Sequence, residues 1–129
     1  MTTNLQIILA VALGGALGSV ARYLFNDGAT RLFGNAFSWG IFLINIIGSF
    51  LIGVFVAMFA LKWDLSPPAR AFLTVGICGG FTTFSTFSLD AWVLIERGDW
   101  GLAMAYIAGS VVLSIGALVA GLQLVRATA

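Results

Sequence analysis

The residue types best suited to chemistry lie in one short segment, GGFTTFSTFS, which runs from Gly79 to Ser88. Two glycines and five hydroxyl side chains interrupt a hydrophobic run that is long enough to cross a bilayer. Polar, irregular backbone at membrane depth is stable only where it is buried in protein or lines a wet cavity, because lipid offers no hydrogen bonds. Interrupted helices of this kind hold ion sites in membrane transport proteins. The segment therefore indicates a protein that moves an ion or a small solute.

The composition sets this segment in a membrane protein. Sixty per cent of the residues are hydrophobic and only 9% are charged, and the mean hydropathy is +1.07. A chain of 129 residues has room for four spans of about 20 residues and short loops. We predict an all-α membrane protein with one domain, residues 1–129. Its four transmembrane helices are predicted at residues 5–25, 39–61, 67–95 and 100–125, with the third helix broken near its middle.

Several classes of function are excluded or disfavoured by residues that the chain lacks. It contains no histidine, which removes histidine-based metal sites and Ser-His catalysis. No pair of carboxylates lies inside a span, so no nucleophile has a plausible base. We therefore expect a protein that is not an enzyme, that resides in the lipid bilayer and that does not bind nucleic acid. The single cysteine, Cys78, excludes an intrachain disulfide.

Basic residues are divided equally between the two ends of the predicted bundle. The bias of Lys and Arg between the two sides of a membrane sets the orientation of a chain, so an equal division predicts insertion in both orientations. Two oppositely oriented copies could then pair as an antiparallel homodimer, with the symmetry that larger transporters build from inverted repeats. The two sets are Lys62, Arg70 and Arg126 beside the termini, and Arg22, Arg31 and Arg97 at the other end.

Polar and aromatic side chains recur at helical spacing on three spans. Residues three or four apart lie on one face of a helix, so each set forms a narrow stripe. Two alternatives remain open, since intramembrane hydroxyls often bond to their own backbone and an asparagine can simply join helices. Phenylalanines at this spacing are also often packing residues. The stripes are Asn45 with Ser49, Phe84 with Phe87, and Tyr106 with Ser110 and Ser114.

The chemistry of this lining favours a small anion. Amide and hydroxyl groups donate hydrogen bonds, and aromatic rings have electropositive edges. No acidic side chain lies deep in any span, whereas a cation path would normally carry carboxylates or exposed carbonyls along its length. Arg22, near the end of the first span, could add positive potential at a pore mouth, or its side chain could extend to the lipid headgroups.

Three blocks of the sequence resemble the Fluc family of bacterial fluoride channels, also called CrcB proteins. The blocks are GGALGSVARY (Gly14–Tyr23), NIIGSFLIG (Asn45–Gly53) and GICGGFTTFSTFS (Gly76–Ser88), in matching order and spacing. The resemblance implies an antiparallel, dual-topology homodimer in the bacterial inner membrane, with two fluoride pores and a sodium ion at its centre. It also implies passive export of fluoride, which relieves fluoride toxicity.

The resemblance also implies roles for individual residues. The sodium ion would be held by the backbone carbonyls of Gly79 and Thr82 from each chain. Phe84 and Phe87 would turn their ring edges toward fluoride, and Arg22 would match the first-span arginine of the family. The remaining fluoride-pore residues would be Asn45, Thr83, Tyr106, Ser110 and Ser114. One departure is visible, since Ile41 and Phe42 stand where the family commonly places a threonine.

Two rival functions remain to be compared with the structure. A small multidrug exporter needs a carboxylate inside its first span, and residues 5–21 contain none. A structural membrane subunit would need polar seams only to hold helices together. For the broken helix we further expect Gly79 to adopt a positive φ, which glycine alone adopts without cost.

Overall fold

The computed structural model of the protein describes residues 2–129, with side chains from Asn4 onward. The described part is all-helical and contains no strand. Four segments are long and apolar enough to cross a membrane: Asn4–Phe33, Trp39–Leu61, Pro67–Glu96 and Trp100–Thr128. The prediction of an all-α protein with four membrane-capable helices is therefore confirmed.

The first two helices are continuous and are joined by a short loop. Helix α1 covers Thr2–Phe33 and α2 covers Trp39–Leu61. The first helix extends well beyond the predicted limit at residue 25, and an ion pair between Asp27 and Arg31 at 3.2 Å lies within this extension. The chain leaves α1 through Gly34, whose φ of +82° is a conformation that favours glycine. The second helix has the bounds predicted from the sequence.

The third membrane-capable segment is not one regular helix. It starts with α3, Pro67–Ala71, and continues through π-helical turns over Phe72–Cys78 and a last helical turn, α4, at Gly79–Phe81. Helical geometry then stops for two residues and resumes in α5, Phe84–Glu96. The final helix is α6, Trp100–Thr128. We call residues 67–81 the first half of the third span and α5 its second half.

The third span starts with a serine cap followed by two prolines. Ser66 has extended backbone, and its hydroxyl accepts a hydrogen bond from the amide of Ala69 at 3.4 Å. Pro67 and Pro68 occupy the first turn, where the missing amide hydrogen has no partner to lose. This cap fixes where the third span begins.

Glycines bring the helix backbones close together at two seams. Helix α1 packs on the first half of the third span, where a Cβ added to Gly14 would lie 2.9 Å from the Cα of Gly76. Helix α2 packs along α6, and a Cβ added to Gly121 would lie 3.0 Å from the amide nitrogen of Val54. Such contacts exclude any side chain, which is how small residues drive helix packing in membranes. The GGALG motif of α1 lies in the first seam.

Between α2, α5 and α6 lies a compact apolar core at the end of the bundle where α2 begins. Its buried members are Ile41, Ile44, Phe87, Ala91, Leu94, Ala103 and Tyr106. Outward faces carry many exposed leucines, valines and isoleucines, as expected for helices that face lipid. The core fixes the positions of Phe87 and Tyr106, which border the site described next.

Candidate pore lining

Most of the predicted pore residues line one cavity of about 360 Å³. The cavity lies where α2, the interrupted third span and α6 meet, and its lining carries no charged side chain. The lining residues are Asn45, Ser49, Ile52, Thr82, Thr83, Phe84, Phe87, Ser110, Val111, Ser114 and Ile115. The fold thus brings together the polar and aromatic stripes of three spans. Asn45 and Ser114, which both line the cavity, are 69 positions apart in the sequence.

Ser110 and Ser114 are the most informative members of this lining. Both hydroxyl oxygens are buried, and neither has a hydrogen-bond partner within the described residues. Other hydroxyls of the chain bond to their own helix, as Ser88 does to the carbonyl of Phe84 at 3.0 Å. A buried hydroxyl without a partner costs free energy. The two serines therefore present unused hydrogen-bonding capacity to the cavity, as a binding site for a small polar ligand or ion would.

The aromatic residues of the site form a continuous series of ring contacts. The centroids of Phe84 and Phe87 lie 5.4 Å apart, and those of Phe87 and Tyr106 lie 5.2 Å apart. Phe87 is buried whereas Phe84 is 77% exposed on the single chain. Tyr106 was predicted to share the serine stripe, but it is fully buried and packs behind Phe87 rather than lining the cavity.

Tyr106 also contacts an acidic residue. Its hydroxyl donates a hydrogen bond of 3.4 Å to Asp90, which sequence analysis did not associate with the site. Asp90 borders a second cavity of about 370 Å³, whose mostly polar lining includes Asn26, Ser38 and Arg97. Phe37 lines this second cavity and packs edge-on against Tyr106 at 5.4 Å. No local spacing could reveal this pairing, because Asp90 lies on α5 and Tyr106 on α6.

At Thr82 and Thr83 the backbone leaves the helical conformation. Thr82 has φ −81° and ψ 156°, and Thr83 has φ −152° and ψ 123°, both extended. Gly79 has φ −64° and ψ −36°, which is ordinary helical geometry. The expectation of a positive φ at Gly79 is therefore wrong, because the chain departs from the helix three residues later, at residues that need no glycine.

Asn45 holds this extended backbone in place from α2. Its side-chain amide donates to the carbonyl of Thr83 at 3.1 Å, and its carbonyl oxygen accepts from the amide of Thr83 at 2.9 Å. One turn along α2, Gly48 leaves space for Thr82, whose methyl carbon a Cβ at Gly48 would strike. Asn45 thus joins two spans, which was the alternative to pore lining, while it also borders the cavity. Its second amide hydrogen remains available there.

Thr83 begins the second half of the third span. Its hydroxyl accepts a hydrogen bond from the amide of Thr86 at 3.2 Å and so caps α5, as threonine commonly does. The sequence contains this signal, a threonine directly before the first residue of a helix. The first turn of α5, at Phe84, consequently borders the cavity. A helix N-terminus carries a partial positive charge that favours anions.

Arg22 does not line either cavity. Its guanidinium Nη1 donates to the carbonyl oxygen of Gly80 at 2.9 Å and lies 3.5 Å from that of Thr82. The side chain thus reaches the last carbonyls of the first half of the third span.

The two carbonyls predicted to hold sodium lie on the same part of the backbone. Gly79 is exposed on the single chain, and none of the hydrogen bonds formed outside the regular helices of the described residues ends on its carbonyl oxygen. Among the described residues, the Thr82 carbonyl has one such contact, the long one with Arg22. The described residues contain no cluster of acidic, cysteine or histidine side chains able to hold a metal.

Comparison with known proteins agrees with the blocks recognised in the sequence. The family described as "CrcB-like protein, Camphor Resistance (CrcB)" matches residues 9–122. The chain belongs to the CrcB family. A relative from Nitrobacter winogradskyi, named fluoride-specific ion channel FluC, is 62% identical over 119 residues, covering 92% of this chain and 94% of its own length.

Two other relatives of this CrcB chain carry the same name. The one from Rhodospirillum centenum is 52% identical over 122 residues, covering 95% of this chain and 97% of its own length. The one from Agrobacterium fabrum is 53% identical over 119 residues, covering 92% and 95%. These relatives are named as channels, and the expectation that the CrcB chain is not an enzyme is confirmed.

Proposed function

We propose that the chain is a fluoride-selective channel that lets fluoride leave the cell passively across the cytoplasmic (inner) membrane and so relieves fluoride toxicity. The observation that carries this proposal is an uncharged cavity into which two buried serines bring unpartnered hydroxyls beside two phenylalanines. The fluoride-specific names of relatives 52–62% identical to this chain support the choice of anion.

The cavity has the properties that an anion path requires. Hydroxyls and the Asn45 amide can replace part of the anion's hydration, and the edges of Phe84 and Phe87 are electropositive. The capped N-terminus of α5 adds a partial positive charge at the same place. All of these groups are neutral, so an anion would be bound weakly enough to leave, as conduction demands. No carboxylate of the lining opposes it.

One chain supplies only part of the proposed path, which supports a dimer. Phe84, a proposed pore residue, is 77% exposed, and Gly79 is also exposed. In the proposed antiparallel homodimer both residues face the partner, and each of two pores takes residues from both chains. The equal division of basic residues between the two ends supports dual topology.

The interruption at Thr82 and Thr83 is proposed to break the third transmembrane helix within the bilayer. The first half then ends with backbone carbonyls that can bind a cation. The second half begins with a helix N-terminus, which favours an anion. The carbonyls of Gly79 and Thr82 fit a structural sodium ion, since they have few or no competing donors. A sodium ion held there would supply positive charge that keeps carbonyls of two chains together.

Both rival functions fit the site less well. In a structural subunit, polar groups would be consumed in joining helices, as Asn45 partly is, but the serine hydroxyls are not. A multidrug exporter would need a carboxylate in α1 near its middle, and α1 has its only acidic residue, Asp27, near its C-terminal end, paired with Arg31.

Fluoride efflux from liposomes tests the proposed function. The purified chain is reconstituted alone into vesicles loaded with equal fluoride and chloride, and both ions are followed by selective electrodes after a potassium ionophore is added. We expect rapid release of fluoride and retention of chloride. Protein-free vesicles are the control for leakage. Folded protein that releases no fluoride, or releases chloride equally fast, would overturn the proposal.

Dual topology is tested separately with a C-terminal reporter of orientation. The unmodified chain should report both orientations, whereas two lysines added at one terminus should give one orientation and lower fluoride resistance of the cells. Co-expression of two oppositely biased variants should restore resistance. A single orientation for the unmodified chain would contradict the antiparallel dimer and leave the anion chemistry of the cavity intact.

A further inference from the structure

The position of Arg22 follows from a stripe of residues on α1. Gly14, Gly18 and Arg22 are each four positions apart and so face the first half of the third span. A Cβ added to Gly18 would lie 2.8 Å from the amide nitrogen of Phe81. The glycines thus allow α1 to approach closely, and Arg22 is placed one turn further, where the first half ends.

The end of the first half of the third span leaves carbonyl groups that need partners. A helix C-terminus has four carbonyls without intrahelical donors. The Cys78 carbonyl accepts both the amide and the hydroxyl of Thr82 at 2.9 Å each. The Gly80 carbonyl is taken by Arg22 at 2.9 Å, and the Thr82 carbonyl is 3.5 Å from the same nitrogen. Arg22 is therefore the charged group that completes this terminus.

The charge of Arg22 matters because this terminus adjoins the cavity. Aligned peptide dipoles leave a partial negative charge at a helix C-terminus, and the residues that follow it, Thr82 and Thr83, line the cavity. An anion beside these residues would meet a negative helix end. A guanidinium bonded to the same carbonyls offsets that potential from outside the cavity.

We infer that Arg22 is a positioning residue that caps the first half of the third span with a positive charge and thereby allows an anion to occupy the adjacent cavity. This inference rests on the proposed function and assigns Arg22 to the broken helix rather than to the ion path itself. The charge is the decisive property. A hydrogen-bonding side chain without charge would hold the Gly80 carbonyl but would remove the positive charge that Arg22 adds there, beside that of the proposed sodium ion.

Two substitutions separate charge from hydrogen bonding. Arg22→Lys keeps the charge and loses the planar guanidinium, whereas Arg22→Gln keeps a donor and loses the charge. We expect R22K to hold the fluoride concentration for half-maximal flux within about threefold of wild type. R22Q should raise it by about three- to thirtyfold, the range that a charge at a partly buried helix terminus spans. Arg31→Gln removes the same charge from the same end of the bundle, in the exposed pair with Asp27, and should leave the half-saturating fluoride concentration of the reconstituted protein unchanged.

The outcomes distinguish this inference from the proposed function. Wild-type protein without fluoride flux would refute the function. With a conducting wild type, equal half-saturation values for R22K and R22Q would refute the charged cap, whether both are normal or both are raised. Size-exclusion profiles establish first that each variant is folded.

A second experiment covers the case in which R22Q does not fold. Arg22→Cys in a Cys78→Ala background, after reconstitution, is treated with aminoethyl methanethiosulfonate, which returns a positive charge, or with the neutral methyl reagent. Flux should recover with the charged reagent and stay low with the neutral one. Equal responses to the two reagents would overturn the inference.

Discussion

Replacing Ser110 with alanine should separate the stability of the protein from its conduction. The hydroxyl is in a residue that is only 5% exposed, and it has no partner in the described chain. Removing an unsatisfied hydroxyl relieves a desolvation cost of about 1–3 kcal/mol, and the serine-to-alanine change leaves almost no cavity. The folded state should therefore be unaffected or stabilised.

Conduction of fluoride, in contrast, should fall in the S110A variant. A hydrogen bond to a charged partner is worth about 1.5–3 kcal/mol, and each 1.36 kcal/mol corresponds to a factor of ten. Loss of one such bond to a passing anion predicts that fluoride flux below saturation falls by roughly ten- to a hundredfold. Ser114→Ala should act in the same way, because its hydroxyl is also buried and unpartnered.

The assay measures two quantities on the same protein sample. Initial fluoride efflux is followed with an electrode in reconstituted vesicles, and the midpoint of thermal unfolding is measured in detergent. Ser88→Ala is the matched control, since that hydroxyl already bonds to the Phe84 carbonyl, and it should leave flux unchanged. If S110A unfolds at a lower temperature and conducts normally, the hydroxyl is a packing group and the argument from unused hydrogen bonds is wrong.

Three further predictions use the same assays. Phe84→Ile removes an electropositive ring edge from a residue exposed on the single chain, so fluoride flux should drop at least tenfold with little change in the thermal midpoint. Phe87→Ile should lower both, because Phe87 also packs on Tyr106; normal flux in both variants would assign these rings to packing. Asn45→Leu removes both hydrogen bonds to Thr83 and should destabilise the protein by about 1–3 kcal/mol, measured as a lower midpoint; an unchanged midpoint would contradict the role given to Asn45. Gly79→Ala should fold normally, because Gly79 is helical and a Cβ there would have only an ordinary 3.6 Å contact with the Thr74 carbonyl. Loss of flux on replacing sodium with potassium in both wild type and G79A would support the proposed sodium site, and unchanged flux in wild type would count against it.

Much of the architecture was determined by the sequence alone, because its signals are local. Long apolar runs separated by short polar loops require four helices in a bilayer. The Ser66-Pro67-Pro68 cap fixes the start of the third span, and its hydrogen bond is present. Spacing by four predicted that Ser110 and Ser114 share a face, and both border one cavity. These features depend on neighbouring residues and on solvent, so no tertiary contact was needed to predict them.

The tertiary structure decided which polar groups have hydrogen-bond partners and which do not. Sequence spacing could not tell that the Asn45 amide would bond to Thr83 while the serine hydroxyls would stay unpartnered, because hydrogen-bond partners come from distant segments. Sequence spacing also could not show that Tyr106 packs on Phe87 and Asp90 outside the lining of the cavity, because both of these residues lie on α5.

The tertiary structure also determined the exact point at which the third span leaves helical geometry. Because glycine tolerates a positive φ, the sequence predicted that the helix would break at Gly79. The chain remains helical there and becomes extended at Thr82 and Thr83. The reason lies in contacts from other helices. Asn45 of α2 replaces the backbone bonds of Thr83, and Arg22 of α1 takes the carbonyl of Gly80. A helix is interrupted where neighbours supply the hydrogen bonds that it gives up.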